Sequence, residues 1–195
     1  NATRPAAPLM LGAEGDPWTL VFDPASAKVA SMRVAGREMI ADGFHECFFR
    51  APTDIDEAQG GDHTYASRWR AAGLDALTRT VDAVAVSALG DHGVRIVADT
   101  TCSHAGRPLV RTRTRYAFED GALFVSAVFS LAEALPFVPR IGFEAVLDGS
   151  LAKATWFGRG PFENYCDRKH AAHVGRYTAS VSELAVPYIF PTENG

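Results

Sequence analysis

The sequence predicts an all-β fold, an antiparallel sandwich carrying one short helix. Three observations predict it. From Thr80 onward, apolar and polar residues alternate in runs of strand length, spaced about ten residues apart. Glycine, proline, asparagine and aspartate cluster between the runs and supply turn chemistry. One segment alone, near Trp69, carries helical spacing. The chain has 195 residues, 47% apolar and 22% charged, ordinary values for a globular protein. A chain of this size buries roughly 70% of the surface its unfolded form exposes, enough for a real core.

In chain order, residues 1–15 read as a linker or a cloning remnant, being small, polar and proline-containing without periodicity. Trp18 to Phe22 is a strand, Asp23-Pro24-Ala25-Ser26 a turn, and Lys28 to Val34 the returning strand. Ala35-Gly36-Arg37 turns again. Phe44 to Phe49 is aromatic-rich and leads into an acidic, flexible loop that holds Arg50, Asp54, Asp56, Glu57, Gly60 and Gly61. His63 to Gly73 is the helix: Tyr65, Trp69 and Ala72 fall on one face, Trp69 anchors it, and Gly73 stops it. Val81 to Leu89 and Val94 to Thr101 form a hairpin around Gly90-Asp91-His92-Gly93.

In Val110 to Phe118, Arg111, Arg113 and Arg115 alternate with other residues, which puts all three on one sheet face. That face is either solvated or meets another domain or chain. Glu119-Asp120-Gly121-Ala122 turns into Leu123 to Leu131, which is almost free of polar side chains and is expected mid-sandwich. Ile141 to Leu147, Ala152 to Phe157 and Gly175 to Val181 follow as strands. The last ten residues, apolar and bracketed by proline, look unfinished, so a truncated C-terminus is expected.

Trp156 to Arg168 packs an aromatic strand, a Gly-Arg-Gly-Pro reversal and then Glu163, Asn164, Tyr165, Asp167 and Arg168. Either the loop satisfies itself, with Arg168 on Glu163 or Asp167, or it grips a polar ligand.

Several function classes find no support. Net charge is −4 with no basic tract, which argues against nucleic acid. No apolar run approaches the ~20 residues that span a bilayer, so no membrane partner is expected. The odd, sparse set Cys47, Cys102 and Cys166 suggests reduced thiols and a cytoplasmic setting. His45, His63, His92, His104, His170 and His173 are scattered, and no metal site is expected. Neither a Gly-x-Ser-x-Gly elbow nor a phosphate loop occurs. Asp54, Asp56 and Glu57 crowd one loop, too close for the paired acids of a glycosidase to be assigned. Glu163 and Glu193 cannot be placed by sequence.

The blocks Phe49 to Asp56, Trp69 to Leu74, Arg140-Ile141-Gly142, Trp156 to Arg168 and Pro187 to Gly195 occur in this order. Together they resemble the C-terminal small-chain domain (domain 5) of large bacterial β-galactosidases of glycoside hydrolase family 2, over residues 16–195. The resemblance implies an antiparallel β-supersandwich like that of galactose mutarotases. It also implies a parent enzyme that hydrolyses terminal β-D-galactosides with retention.

The family's catalytic glutamates sit on a (β/α)8 barrel, so no catalytic residue, metal or cofactor is carried over to this chain. The parent's Mg2+ and monovalent cation are expected mainly on other domains. The implied role is to buttress the barrel and complete the sugar-site wall. The implied partners are that barrel, the other domains and the galactoside, with a homo-oligomer left open. The implied site residues are Arg50, Asp54, Asp56 and Glu57 at the active-site mouth. Arg159, Glu163, Asn164, Tyr165, Asp167, Arg168, Glu193 and Asn194 follow in the motif loops.

Three departures from the family pattern stand out: Ile55 replaces an asparagine, Ala58 stands near an expected glycine, and Cys166 replaces a proline. Two other readings remain. One is a free carbohydrate-binding module stacking sugars on Trp156, Phe162 and Tyr165. The other is an aldose-1-epimerase-like enzyme pairing His104 or His173 with Glu163.

Overall fold

The computed structural model describes residues 5–12, 17–58, 60–90, 93–119, 122–135, 137–162, 164 and 169–185. The chain divides into two compact units. One holds Asn1–Phe49 with Trp69–Asp148, the other Arg50–Arg68 with Gly149–Gly195.

The first unit is built from antiparallel sheets. β1 (Leu9–Leu11), β2 (Trp18–Asp23), β3 (Lys28–Val34) and β4 (Arg37–Glu38) form one four-stranded sheet in sequence order. β1 falls inside the stretch expected to be linker: Leu11 pairs with Leu20 and is buried. The turn after β2 is held as its sequence suggests. Both Asp23 carboxylate oxygens accept from the turn, from the Ala25 N–H at 2.9 Å and the Ser26 hydroxyl at 2.6 Å. β5 (Ile40–Cys47) pairs with β10 (Gly142–Leu147).

β6 (Thr78–Leu89), β7 (Gly93–His104), β8 (Arg107–Glu119) and β9 (Ala122–Leu131) form the second four-stranded sheet, again in sequence order. Leu20, Phe22, Val29 and Ile40 share a core with Val84, Ile96, Ala98 and Tyr116 of this sheet. Phe22 and Tyr116 meet edge-to-face at 5.2 Å.

β9 is not mid-sandwich. Among the described residues it is the outer strand, with Phe124 and Val128 each 62% exposed. An apolar run on its own does not distinguish a strand covered within its chain from one covered by something else.

Helix content also exceeds the single helix expected. The acidic loop winds into a helical turn, α1 (Asp54–Glu57), followed by a 3-10 turn over Gly61–His63. The expected helix is α2 (Tyr65–Ala71), with Trp69 buried against Phe137 and Gly73 beyond it at φ +77°, a conformation glycine adopts without steric cost.

In the second unit, β11 (Lys153–Gly160) pairs with β12 (His173–Ser180) along its whole length, and α3 (Val181–Leu184) follows under a Ser180–Glu183 capping box. One glycine of the Trp156 motif, Gly160, has a packing reason. Tyr177 stacks near Trp156 at 5.7 Å and donates its hydroxyl to the His173 carbonyl at 2.9 Å. A Cβ on Gly160 would stand 2.6 Å from the Tyr177 ring. The ring thus covers bare backbone, the device by which an aromatic shields a strand glycine.

Candidate functional site

The predicted mouth loop folds around Asp56. Thr53 caps α1: its hydroxyl accepts from the Asp56 N–H, and the Asp56 carboxylate accepts from the Thr53 N–H at 2.8 Å. Arg50 grips the same carboxylate with both Nη atoms, the second at 3.2 Å, and also donates to the Ala51 carbonyl at 3.0 Å. Asp56 is only 6% exposed. Burial pushes its carboxyl up, but the donors from Arg50 and Thr53 outweigh that and hold its pKa below the ordinary value of 3.8. Sequence places Asp54, Asp56 and Glu57 as equals, whereas the structure separates them. Asp54 is exposed and accepts from the Ile55 N–H at 2.9 Å, and Glu57 also lies at the surface. The loop is therefore acidic outside and neutralised within.

In the motif loop, Arg159 donates to the carbonyls of Lys169 and Ala172 at 2.8 and 2.9 Å, tying β11 to the 3-10 turn at Lys169–Ala171. The Trp156 indole donates to the Arg159 carbonyl at 3.0 Å. Asn164 is exposed. Glu163, Tyr165, Asp167, Arg168, Glu193 and Asn194 lie outside the described residues. Trp156, offered as a sugar platform, is half-buried against Tyr177, while Phe162 is 70% exposed. His104, one partner in the epimerase reading, turns its Nδ1 to the Ala76 carbonyl at 3.2 Å.

Sequence reasoning missed a buried ion pair in the first unit. Glu46 on β5 is 8% exposed and accepts from the Arg79 Nε on β6 and from the Thr100 hydroxyl at 2.6 Å on β7. Arg79 also donates to the carbonyls of Ser26 and Ala27. Burial alone would raise the Glu46 pKa, but Arg79 and Thr100 together pull it below 4.5. The signal was present: Glu46 shares parity with Phe44 and Phe48, so a strand here turns it inward.

Burial pushes the Tyr116 hydroxyl up to about 12 and the Cys102 thiol up to about 11, the Glu46 charge adding to both. Cys47 and Cys102 are both free thiols.

These features define an antiparallel β protein in which, among the described residues, the two buried acids Glu46 and Asp56 each pair with an arginine. The family model for the beta galactosidase small chain matches residues 14–195, and the chain belongs to that family. Its relatives include the beta-galactosidase of Vibrio cholerae serotype O1, 42% identical over 82% of this chain and 16% of that protein. The beta-galactosidase of Pseudoalteromonas haloplanktis is 34% identical over 95% of this chain and 18% of that protein. That of Aeromonas hydrophila is 37% identical over 91% of this chain and 18% of that protein. The chain thus spans less than a fifth of the length of the curated relatives it matches.

Proposed function

We propose that the chain is the non-catalytic β domain of a β-galactosidase, an enzyme hydrolysing terminal β-D-galactosides with retention. It buttresses the catalytic barrel and forms part of the wall of the sugar site. In this reading the domain completes a supersandwich of the galactose mutarotase kind, and the enzyme works in the cytoplasm. The Mg2+ and the monovalent cation are held mainly by other domains.

One observation carries the non-catalytic reading. Glu46 and Asp56, the buried carboxylates among the described residues, are each ion-paired to an arginine and shifted toward ionisation. A glycosidase acid needs the opposite, a carboxyl kept protonated near neutral pH. The capped Arg50–Asp56 turn suits a rigid strut at the pocket mouth, with exposed Asp54 and Glu57 facing outward.

Complementation tests the reading. A relative's β-galactosidase lacking the segment that aligns with this chain is coexpressed with the chain and assayed on a chromogenic galactoside. Activity is expected only when both are present; hydrolysis by this chain alone overturns the reading. A second reading, a sugar-binding module, draws on Phe157, 80% exposed, and Phe162 on the β11–β12 unit. Calorimetric titration of the chain with galactose separates the two, since micromolar binding belongs only to the module.

A further inference from the structure

The outer face of the β6–β9 sheet carries an open groove of about 440 Å3, lined by Asp82, Asp99, Arg111, Arg113, Arg115 and Val128, among others. We propose that this groove docks an extended acidic segment of protein that adds alongside β9. The segment would carry an acid, an apolar residue and a second acid at alternate positions. The inference rests on the reading above, since the segment would come from another part of the same β-galactosidase.

The charges point to it. Arg113 is held by Asp99 at 2.7 Å, and Asp82 accepts from the Thr101 hydroxyl at 2.6 Å. Arg111 and Arg115 share the face with Arg113 and make no ion pair or hydrogen bond with the described residues. Three guanidiniums against the Asp82 and Asp99 carboxylates leave the groove one net positive charge, and Arg111 and Arg115 keep their donors open to an acid from outside.

The register defines the shape of the partner. Arg115 pairs across to Ser126, Arg113 to Val128 and Arg111 to Ser130. The two serines are short, so nothing bulky on β9 stands between the free guanidiniums and the sheet edge. Between them, Val128 offers an exposed apolar contact. β9 is the outer strand among the described residues, so its edge can accept another strand by main-chain hydrogen bonds. An added strand would lie about 10 Å from β8, within the combined reach of an arginine and a glutamate. Arg111 and Arg115 are four residues apart, about 13 Å along a strand. That span matches acids at i and i+4 of an extended chain and is too long for one small anion to bridge.

The test uses the 195-residue chain and a labelled peptide, Thr-Glu-Thr-Val-Thr-Glu-Thr, followed by fluorescence anisotropy at about 50 mM and about 500 mM salt. Binding is expected at low salt and is lost at high salt. Arg111→Gln with Arg115→Gln should weaken it about tenfold. Arg107→Gln, at the far end of β8, should leave it unchanged, and circular dichroism verifies that each variant is folded. A peptide with its two glutamates adjacent, or with glutamines instead, should bind at least several-fold more weakly.

The inference is overturned if the double variant binds as well as the parent, if the adjacent-glutamate peptide binds equally, if citrate competes as strongly as the peptide, or if no binding is seen up to millimolar peptide. If the chain complements a truncated β-galactosidase yet ignores the peptide, this inference alone falls. If the peptide binds and complementation fails, the functional reading falls instead.

Discussion

Glu46 is a charge placed in a core, and its cost and its use are both local. Its carboxylate holds three strands through Arg79 and Thr100. Removing one partner of a buried pair leaves the other charge uncompensated, which costs about 3–5 kcal/mol. Glu46→Ala should lose about that much in urea unfolding, while replacing both Glu46 and Arg79 with apolar residues should lose far less. Cys102 sits near this charge with its thiol pushed up to about 11. It should resist alkylation at neutral pH in the folded chain and react once urea unfolds it.

Glu38 gives the clearest pH signature. Burial raises its pKa, but donors from Ser31, Met32, Ile40 and Arg33 outweigh this and lower it from 4.5 to about 2. The folded value lies below the unfolded one. Its stabilisation is therefore fully present above about 4.5 and is lost as the pH falls through about 2. The urea midpoint should drop across that window, and less steeply in Glu38→Gln.

At the scale of single elements, α1 and the β11–β12 hairpin are the informative cases. Thr53→Ala removes the cap of α1 and one donor to Asp56. A loss of about 1 kcal/mol is expected, read as faster amide exchange over Asp54–Glu57. In the hairpin, Gly160→Ala drives a methyl into the Tyr177 ring. Displacing that ring breaks its contact with Trp156, so tryptophan emission should shift and stability should fall by about 1–3 kcal/mol.

The strands themselves were legible. β3 runs over Lys28–Val34, the returning strand expected after the Asp23 turn, and Arg111, Arg113 and Arg115 do share one face. The helical turn at Asp54–Glu57 was not read from a loop of three acids, because a capping box depends on Thr53 and Asp56 facing each other, and the acid count concealed that spacing.

At the scale of the whole molecule, β9 decides the behaviour of the isolated chain. Phe124, Val128 and Leu131 are exposed on an outer strand, a template for pairing with other chains. The purified chain should self-associate with rising concentration. Phe124→Lys should reduce that association, as measured by sedimentation, without loss of β signal in circular dichroism.

Residue order alone was enough for the strand periods, the turn at Asp23, the helix around Trp69, the arginine face and the ordered blocks that mark the family. Each of these depends on residues within a few positions of one another, where backbone sterics and side-chain alternation act directly. The folded chain was needed to learn that Glu46 meets Arg79, that Asp99 takes Arg113 and leaves Arg111 and Arg115 open, and that β9 is the outer strand among the described residues. Those outcomes follow from sheet register, which joins residues 33 and 14 positions apart in the two ion pairs, and no local rule spans that distance.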